Sequence, residues 1–579
     1  MSFGFFRKGR SYGLSPGERE QRRRLTRYRA SLCILSGAML GASFPPSTLG
    51  VLACFALVPL LVVLADIEET GTALRFAYLA MLVFHLITLN WTGGYAHMKD
   101  PYMMIAGAVT MTVHPLFYCI PLGAYLFVRR RLGDVAALIA LPFLWTGYEY
   151  THSLSEWSFP WLTIGNTQSF DLARIQFISA TGVYGLSLWI LCLNVLAFLL
   201  YSSLARRERG VPRESLVWTG SILLLFFLPW GYGTVLLSGA GVDGSRPAMD
   251  RGEVTVGIVQ PDTDPWDKWT EHGSAIIDRY LLMTARLAGS ASVADSSGLP
   301  RPRIVLWPET AVPYFILTDA NRRLLDDIRA RIAAMDIAVL TGLPHMVIYR
   351  DPAEAPPSAK RLRGTGQRYD TFNAAALLDP GSDSLPWYGK MKFVPFAERI
   401  PYADMLSAFD FLRWDVGIGG WQIGPGQVIF REAKTGARFC AAICYESAFP
   451  GFIADFVRKG AEFISIITID SWWDNMSGAY QHERFAVLRA VENRRWVAQC
   501  AVGGISCYVD PFGRVYDATR LFTTAALSRT IGRSGELTFY SEHGDAFAQG
   551  CLWAAAAFLF AALGRAFLQR IRKQQWELQ

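Results

Sequence analysis

The chain has 579 residues, of which 51% are A, V, I, L, M, F, W, Y or C and only 18% are charged, against about 25% charged residues in soluble domains. With a mean hydropathy of +0.22, that deficit excludes a disordered or collagen-like chain and a fully soluble enzyme, and it places part of the protein in lipid. The formal charge of +7 admits nucleic acid or a membrane surface until its distribution is known.

Charge divides the chain in two: residues 30–237 hold 20 charged residues in 208 positions, whereas 250–545 hold 67 in 296. In the first block seven apolar runs lie near 30–46, 49–65, 74–92, 102–128, 135–150, 175–201 and 215–237, with an eighth at 547–568. Most approach the roughly 20 residues that a helix needs to cross a bilayer. Pro45-Pro46 ends the first run. Nine Lys/Arg in residues 1–29 and no small-residue cleavage site argue that the first helix is retained rather than removed as a signal peptide.

Basic loops set the orientation. The segment 1–29, Arg75, Arg129-Arg130-Arg131, the loop Arg206 to Arg213, and the tail with Arg570, Arg572 and Lys573 all fall on the cytoplasmic side of an eight-span chain. The expected organisation is a basic segment 1–29, a membrane domain 30–237 of seven spans, an outer domain 240–545, a last span 547–568 and a tail 569–579. Residues 1–29 contribute +7, 30–249 sum to zero, 250–545 contribute −3 and the tail from 546 contributes +3. The positive excess therefore records orientation, and nucleic acid drops out as a partner.

The outer block alternates short apolar, β-branched runs with helical patterns. Strands are expected at 254–260, 303–307, 337–341, 373–378, 438–443, 462–469, 496–502 and 505–509, with helices near 273–289, 320–334, 449–459 and 480–494. This is an α/β domain with buried sheets, and residues 351–368, rich in Pro, Ala, Lys and Arg, read as a surface loop.

Three residues stand just after strand-like runs, where catalytic groups of open α/β sheets collect. They are Glu309 in Trp307-Pro308-Glu309-Thr310, Lys390 in Tyr388-Gly389-Lys390, and Cys444 in Ile443-Cys444-Tyr445-Glu446. Together they supply a carboxylate to take a thiol proton, a cation for an oxyanion and a thiol nucleophile, the requirements of acyl transfer through a thioester. Taken singly, each has a plainer explanation: a Cys at a strand end is more often a small buried hydrophobe, and a Glu there is usually a solvated turn residue.

The flanking residues change that balance. Val259-Gln260, Trp307-Pro308-Glu309-Thr310-Ala311-Val312-Pro313, Tyr369-Asp370-Thr371-Phe372-Asn373, Lys390-Met391-Lys392-Phe393-Val394-Pro395-Phe396-Ala397-Glu398 and Ile443-Cys444-Tyr445-Glu446 follow one another in the outer block. The membrane block carries Phe159-Pro160-Trp161-Leu162-Thr163-Ile164-Gly165-Asn166-Thr167-Gln168 and Gly182-Val183-Tyr184-Gly185-Leu186-Ser187. On these motifs, and over nearly its whole length, the chain resembles the nitrilase superfamily and, within it, the integral membrane apolipoprotein N-acyltransferases.

The resemblance implies a polytopic α-helical membrane protein of about eight spans carrying an αββα sandwich, with Glu309, Lys390 and Cys444 as catalytic triad. It implies supporting roles for Glu398, Glu446, Tyr445, Trp269, Asn373 and Trp472. Like charges in one site push pKa values apart, so Glu309 is taken as general base and then acid, with Glu398 orienting Lys390. Lys390 and the backbone N–H after Cys444 would hold the oxyanion.

The implied activity moves a fatty acyl chain from a phospholipid, with phosphatidylethanolamine as donor, to the α-amine of an S-diacylglyceryl cysteine at an apolipoprotein N-terminus, without a cofactor. The implied setting is the bacterial inner membrane, with a monomer whose termini are cytoplasmic and whose catalytic domain is periplasmic. A membrane-tethered amidase using water as acceptor would need the same triad, and a non-enzymatic transport or assembly protein would not need an intact one. Three segments depart from the family pattern: Pro261-Asp262 replaces Gly-Asn, Ile469-Asp470-Ser471-Trp472-Trp473 replaces Asn-Asp-Ala-Trp-Phe, and Val502-Gly503-Gly504 stands where Asn-Gly is usual. A divergent acyl acceptor is therefore open.

Residues 400–424 place Tyr402, Met405, Leu406, Phe409, Phe411, Leu412, Trp414 and Trp421 around Gly417, Gly419 and Gly420. They read either as core or as a glycine-hinged apolar arm at the lipid surface. The nine cysteines are read as core thiols apart from Cys444, with Cys500 and Cys507 a candidate pair across a turn. No HExxH or CxxC is present, so no metal site is expected. His85, His114 and Glu149 fall inside spans, where interhelical hydrogen bonds are the first explanation.

Overall fold

The structure, a computed structural model, describes residues 15–577 apart from 96–99, 206–211, 240–249, 265, 267–272, 290–298, 352, 358, 363 and 403–419. Helix α1 (Pro16–Ala42) starts at a capping box in which Ser15 and Glu18 satisfy each other's backbone N–H, and the first apolar run is its second half. The second run departs from expectation. It is a 3-10 turn (Gly50–Cys54) followed by the eight-residue α2 (Val58–Ala65), because buried Asn194 takes both sides of the break: its Oδ1 accepts from Leu57 N–H at 2.8 Å and its Nδ2 donates to the Ala53 carbonyl at 2.8 Å.

Helix α3 (Thr70–Thr88) is continuous, whereas the run 102–128 is α4 (Pro101–Val113) and α5 (Pro115–Leu132), jointed where Pro115 lacks an amide hydrogen. Then come α6 (Asp134–Leu154), a single turn α7 (Ile178–Thr181), α8 (Val183–Ala205) and α9 (Arg213–Gly239). Among the described residues five helices are long and apolar enough to cross a membrane: Thr70–Thr88, Pro101–Leu132, Val183–Ala205, Arg213–Gly239 and Ala546–Trp576. The titratable groups noted within the spans find partners inside the protein. His85 bonds His114 at 2.8 Å, His114 bonds His152 at 3.0 Å, and Glu149 accepts from Ile164 N–H at 2.9 Å.

The outer block builds two sheets. In the first, β1 (Glu253–Gln260), β2 (Ile304–Leu306) and β3 (Ala338–Ile348) are parallel neighbours. β13 (Ala525–Gly532) lies antiparallel on one side, and β5 (Arg368–Leu378) on the other pairs with β4 (Lys360–Arg361) and β6 (Trp387–Gly389). The second sheet runs β12 (Val515–Tyr516), β11 (Cys507–Val509), β10 (Val497–Ala501), β9 (Phe463–Thr468), β8 (Arg438–Ile443) and β7 (Phe430–Arg431), with β8, β9 and β10 parallel.

Apolar side chains of both sheets, among them Val256, Ile258, Leu306, Ala441, Ile443, Ile464 and Ile466, share one buried core. Helices α10 (Gly273–Leu287) and α11 (Arg322–Met335) cover the free face of the first sheet. The helices Pro450–Arg458 and Ser477–Asn493 pack against the second. The result is the expected αββα sandwich, and it aims the carboxyl ends of β1, β2, β8, β9 and β10 together. All nine cysteines are free, so Cys500 and Cys507 are core thiols: the Cys500 sulfur turns to the carbonyls of Val259 and Leu306.

One glutamine ties this domain to the membrane block. Gln481 Oε1 accepts from the indoles of Trp91 (3.0 Å) and Trp161 (2.7 Å), while its Nε2 donates to the carbonyls of Pro45 (3.0 Å) and Thr88 (3.1 Å). Leucine at this buried position leaves several polar groups without partners, each worth about 1–3 kcal/mol. Gln481→Leu is therefore expected to lower stability by about 2–3 kcal/mol, read as a lower melting temperature of the purified protein in detergent.

Candidate active site

Glu309 follows β2 by three residues, Lys390 follows β6 directly and Cys444 follows β8 directly. The Glu309 turn is pressed against Gly342 of β3, where a Cβ would come within 2.6 Å of Glu309 Cα and 2.5 Å of Thr310 N, so only glycine fits there. Thr310 (φ 44°) and Cys444 (φ 51°) hold left-handed conformations rare for such residues, a form of strain that collects at functional sites.

The Lys390 side chain is fully buried, with Nζ 2.6 Å from Glu398 Oε1 and 3.4 Å from Glu309 Oε1. Asn373 steadies this array from β5, donating Nδ2–H to Glu309 Oε1 at 2.7 Å while its carbonyl accepts Lys390 N–H at 2.8 Å. Glu398 also accepts Val394 N–H, at 2.9 Å. Burial works against the Lys390 charge, but Glu309 and Glu398 outweigh it and hold the ammonium above its ordinary pKa. Burial, followed by the Glu309 charge, pushes the Cys444 thiol well above its ordinary value, with Lys390 pulling the other way. The array thus sets the Lys390 ammonium between two carboxyl groups, beside a thiol whose burial favours its protonated form.

The structure gives Glu446 a different place from the acid array. Its Oε1 accepts from Tyr388 Oη (2.6 Å), Met391 N–H (2.7 Å) and Lys392 N–H (3.3 Å), and its Oε2 from Ile443 N–H (2.8 Å). It fastens the start of the Cys444 turn to the Lys390 loop, and burial pushes its carboxyl up to about 7 against these donors. Tyr445 reaches the membrane block, donating to the Ser158 carbonyl at 2.9 Å and stacking on Trp161. Trp472 meets Trp266 edge-on at 4.9 Å. Trp269 lies outside the described residues, as does the arm segment 403–419. Of the flanking arm residues, Tyr402 N–H donates to Glu156 at 2.7 Å and Trp421 bridges Thr371.

The three departing segments turn out to be neighbours. A Cβ on Gly503 would lie 3.0 Å from Asp262 Oδ1 and 3.1 Å from Ser471 Cβ, and one on Gly504 would lie 2.7 Å from Asp470 Cβ. The changes thus share one volume, in which Gly503 and Gly504 leave room for the acidic residues opposite.

Sequence reasoning missed His482 altogether. The Cys444 sulfur, an Asp470 carboxylate oxygen and a His482 ring nitrogen lie within 4.8 Å of one another, a spacing that suits a cation. Both ring nitrogens, however, already face oxygen acceptors, Asp470 on one side and the Cys444 carbonyl on the other, so neither offers a free lone pair. The available signal was Gln481-His482-Glu483 in a helix whose every residue from Gln481 to Asn493 except Arg484 is buried: polar groups there need specific partners.

Two family models match the chain, "Apolipoprotein N-acyltransferase N-terminal domain" over residues 36–196 and "Carbon-nitrogen hydrolase" over residues 255–534. An apolipoprotein N-acyltransferase of Chlorobaculum tepidum is 33% identical over 544 residues, covering 92% of this chain and 96% of its own. The chain belongs to the apolipoprotein N-acyltransferase family. Family members from Geobacter metallireducens (29% identity, 92% of this chain and 95% of theirs) and Thermotoga maritima (26%, 94% and 95%) are similar to it over nearly their whole length. This acyltransferase thus joins a carbon–nitrogen hydrolase domain to apolar helices.

Removing one partner of a buried ion pair costs about 3–5 kcal/mol, because the remaining charge stays uncompensated. Glu398→Gln leaves the Lys390 ammonium partly compensated by Glu309, so it is expected to destabilise this acyltransferase by less, about 1–3 kcal/mol, measured by denaturation in detergent, and to lower the rate of acyl transfer.

Proposed function

We propose that the chain N-acylates lipoproteins by a two-step thioester route in which Cys444 is nucleophile, Glu309 general base and acid, and Lys390 oxyanion cation. Glu309 takes the Cys444 proton, and the thiolate attacks an ester carbonyl of a phospholipid. The Lys390 ammonium and the Tyr445 N–H hold the oxyanion. The C–O bond breaks, and the departing lysophospholipid oxygen takes the proton from Glu309. In the second step the α-amine of an S-diacylglyceryl cysteine attacks the thioester, gives a proton to Glu309, and the C–S bond breaks to leave amide. Glu309 returns its proton to the thiolate.

The observation that carries this reading is the buried Glu309–Lys390–Glu398 array beside a thiol that burial keeps protonated. Such a thiol is a poor nucleophile until a neighbouring base removes its proton. Asn373 and Glu398 fit as orienting residues, and Glu446 and Tyr445 as anchors of the Cys444 turn. Trp472 belongs to one of the departing segments, which supports an acceptor-side role, and Trp269 joins it on the resemblance alone.

The proposed setting is a monomer in the bacterial inner membrane with phosphatidylethanolamine as donor. The domain limits follow the sequence reading: a basic segment 1–29, a membrane domain 30–237, a periplasmic catalytic domain 240–545, a span 547–568 and a cytoplasmic tail. Eight passes result if α1, Gly50–Ala65 and α6 join the five long apolar helices. The basic loops then remain cytoplasmic. Both substrates are lipid-anchored, which is the physical reason for fusing the domain to the bilayer.

Purified protein incubated with phosphatidylethanolamine is expected to gain one hydroxylamine-labile acyl mass that Cys444→Ala abolishes, measured by intact mass spectrometry. A folded wild-type protein that acquires no such adduct would sink the route. Adding a diacylated lipopeptide should move the acyl group onto its amine, whereas release as free fatty acid would identify a hydrolase.

A further inference from the structure

The mechanism above leaves a buried titratable pair unused beside the nucleophile. His482 and Asp470 are each 1% exposed, and His482 Nδ1 lies 2.7 Å from Asp470 Oδ1. His482 Nε2 lies 3.0 Å from the Cys444 carbonyl and 2.8 Å from Ser447 Oγ, and that hydroxyl itself donates to the Cys444 carbonyl at 2.9 Å. Thr468 Oγ1 donates to the same Asp470 oxygen at 2.8 Å.

Counting donors fixes one proton. A carbonyl oxygen only accepts, so the bond to the Cys444 carbonyl requires a hydrogen on Nε2, while Nδ1 faces the Asp470 carboxyl group. A proton on Nδ1 as well makes the ring an imidazolium beside Asp470. Burial opposes that charge, and the adjacent Asp470, followed by the Cys444 carbonyl, overrides it and raises the imidazole pKa. Trp161 and Phe485 pack on the ring, closing it from water. Gly504 makes the pair possible, because a Cβ there would strike Asp470 at 2.7 Å.

We propose that His482, held by Asp470, is the positioning residue of the Cys444 elbow: by fixing the Cys444 carbonyl it aims the Tyr445 N–H at the oxyanion. The reason is peptide planarity. The Cys444 carbonyl and the Tyr445 N–H belong to one rigid unit and point in opposite directions, so pinning the oxygen fixes the direction of the hydrogen. Cys444 sits at φ 51°, a conformation that relaxes unless its surroundings hold it. The Nε2–H bond to that carbonyl strengthens as the ring gains positive charge beside Asp470. The adjacent Gln481 anchors the same helix to the membrane block, so the elbow is referenced to the surface from which lipid substrates arrive.

This inference deepens the proposed role of Cys444 and rests on it, and the experiment separates the two. The full-length protein is purified in detergent as wild type, His482→Gln, His482→Asn and Cys444→Ala, and single-turnover acylation by phosphatidylethanolamine is followed by intact mass over a range of lipid concentration. Acylation that survives in Cys444→Ala overturns the nucleophile reading itself. With that reading intact, the two amides distinguish which imidazole N–H matters. The Gln amide reaches the Nε2 position and keeps the bond to the Cys444 carbonyl, whereas the Asn amide stops near the Nδ1 position and keeps only Asp470.

Losing one oxyanion donor costs about 100- to 1,000-fold in rate. His482→Asn is expected to lower the saturated acylation rate about 100-fold with the half-saturating lipid concentration unchanged, and His482→Gln to recover at least about tenfold of that loss. Equal rates in the two variants, or an Asn variant at least as fast as Gln, would show that His482 acts only through Asp470 and the packing around it, and would overturn the proposal. Because both variants carry a neutral amide in the same buried site, their melting temperatures provide the control for folding. If His482→Asn does not fold, a His482→Gln rate within about tenfold of wild type supports the proposal and a 100-fold loss in folded His482→Gln overturns it.

Discussion

A lysine ammonium with no exposure to water dictates much of this site. Moving an ion of that kind out of solvent carries a penalty of several kcal/mol unless opposite charge is waiting for it. Here two carboxylates are waiting, at 2.6 and 3.4 Å, delivered by separate parts of the first sheet and the loop that follows it. That requirement explains the surrounding architecture. Gly342 lets the Glu309 turn come close to β3, Asn373 holds the Glu309 oxygen nearest Lys390, and Glu446 stitches the Lys390 loop to the Cys444 turn through four hydrogen bonds. Burial raises the Cys444 thiol, and the Glu309 and Glu398 charges that hold the Lys390 ammonium add to it, so the state of the thiol and that of the ammonium are two consequences of one buried network.

The second organising element is the helix Ser477–Asn493, which faces both parts of the molecule. At Gln481 it makes four hydrogen bonds to the membrane block, and at the next residue it touches the carbonyl of Cys444. Tyr445 runs the opposite way, from the Cys444 turn to Ser158 and Trp161. A soluble hydrolase sandwich has no need of such ties. The proposed reaction on lipid-anchored substrates does need them, and the side chains buried at this junction hold the Cys444 turn against the membrane block.

Much of this was legible in the residues. The block structure of charge separated the lipid-facing part from the α/β part, and the apolar strand runs located the strands before Glu309 and Cys444, because buried parallel strands are continuous hydrophobic segments; the three-residue strand Trp387–Gly389 before Lys390 is too short to show such a run. Glu309, Lys390 and Cys444 were recognisable from their place after strands and from their neighbours. The second apolar run was misjudged as one helix because hydropathy counts apolar residues and is blind to an asparagine 137 positions away in sequence that caps the break. His482 was invisible for a related reason: in a single sequence a buried histidine and a solvated one look alike, and only its partners tell them apart.

By itself, then, the sequence determined the composition-driven facts: which segments are apolar, which alternate into an α/β sandwich, and that Glu309 and Cys444 come shortly after buried strands. Those properties are local, set by transfer free energy and backbone preference within a few residues. Tertiary structure alone decided which charged groups meet and how the reactive side chains are held. It brought Glu398 to Lys390, gathered Asp262, Ser471 and Gly503 into one volume, and set Asp470 and His482 behind Cys444. Electrostatic and hydrogen-bond energies depend on distances of a few ångströms in a poorly screened interior, and such distances between residues far apart in sequence exist only once the chain has folded.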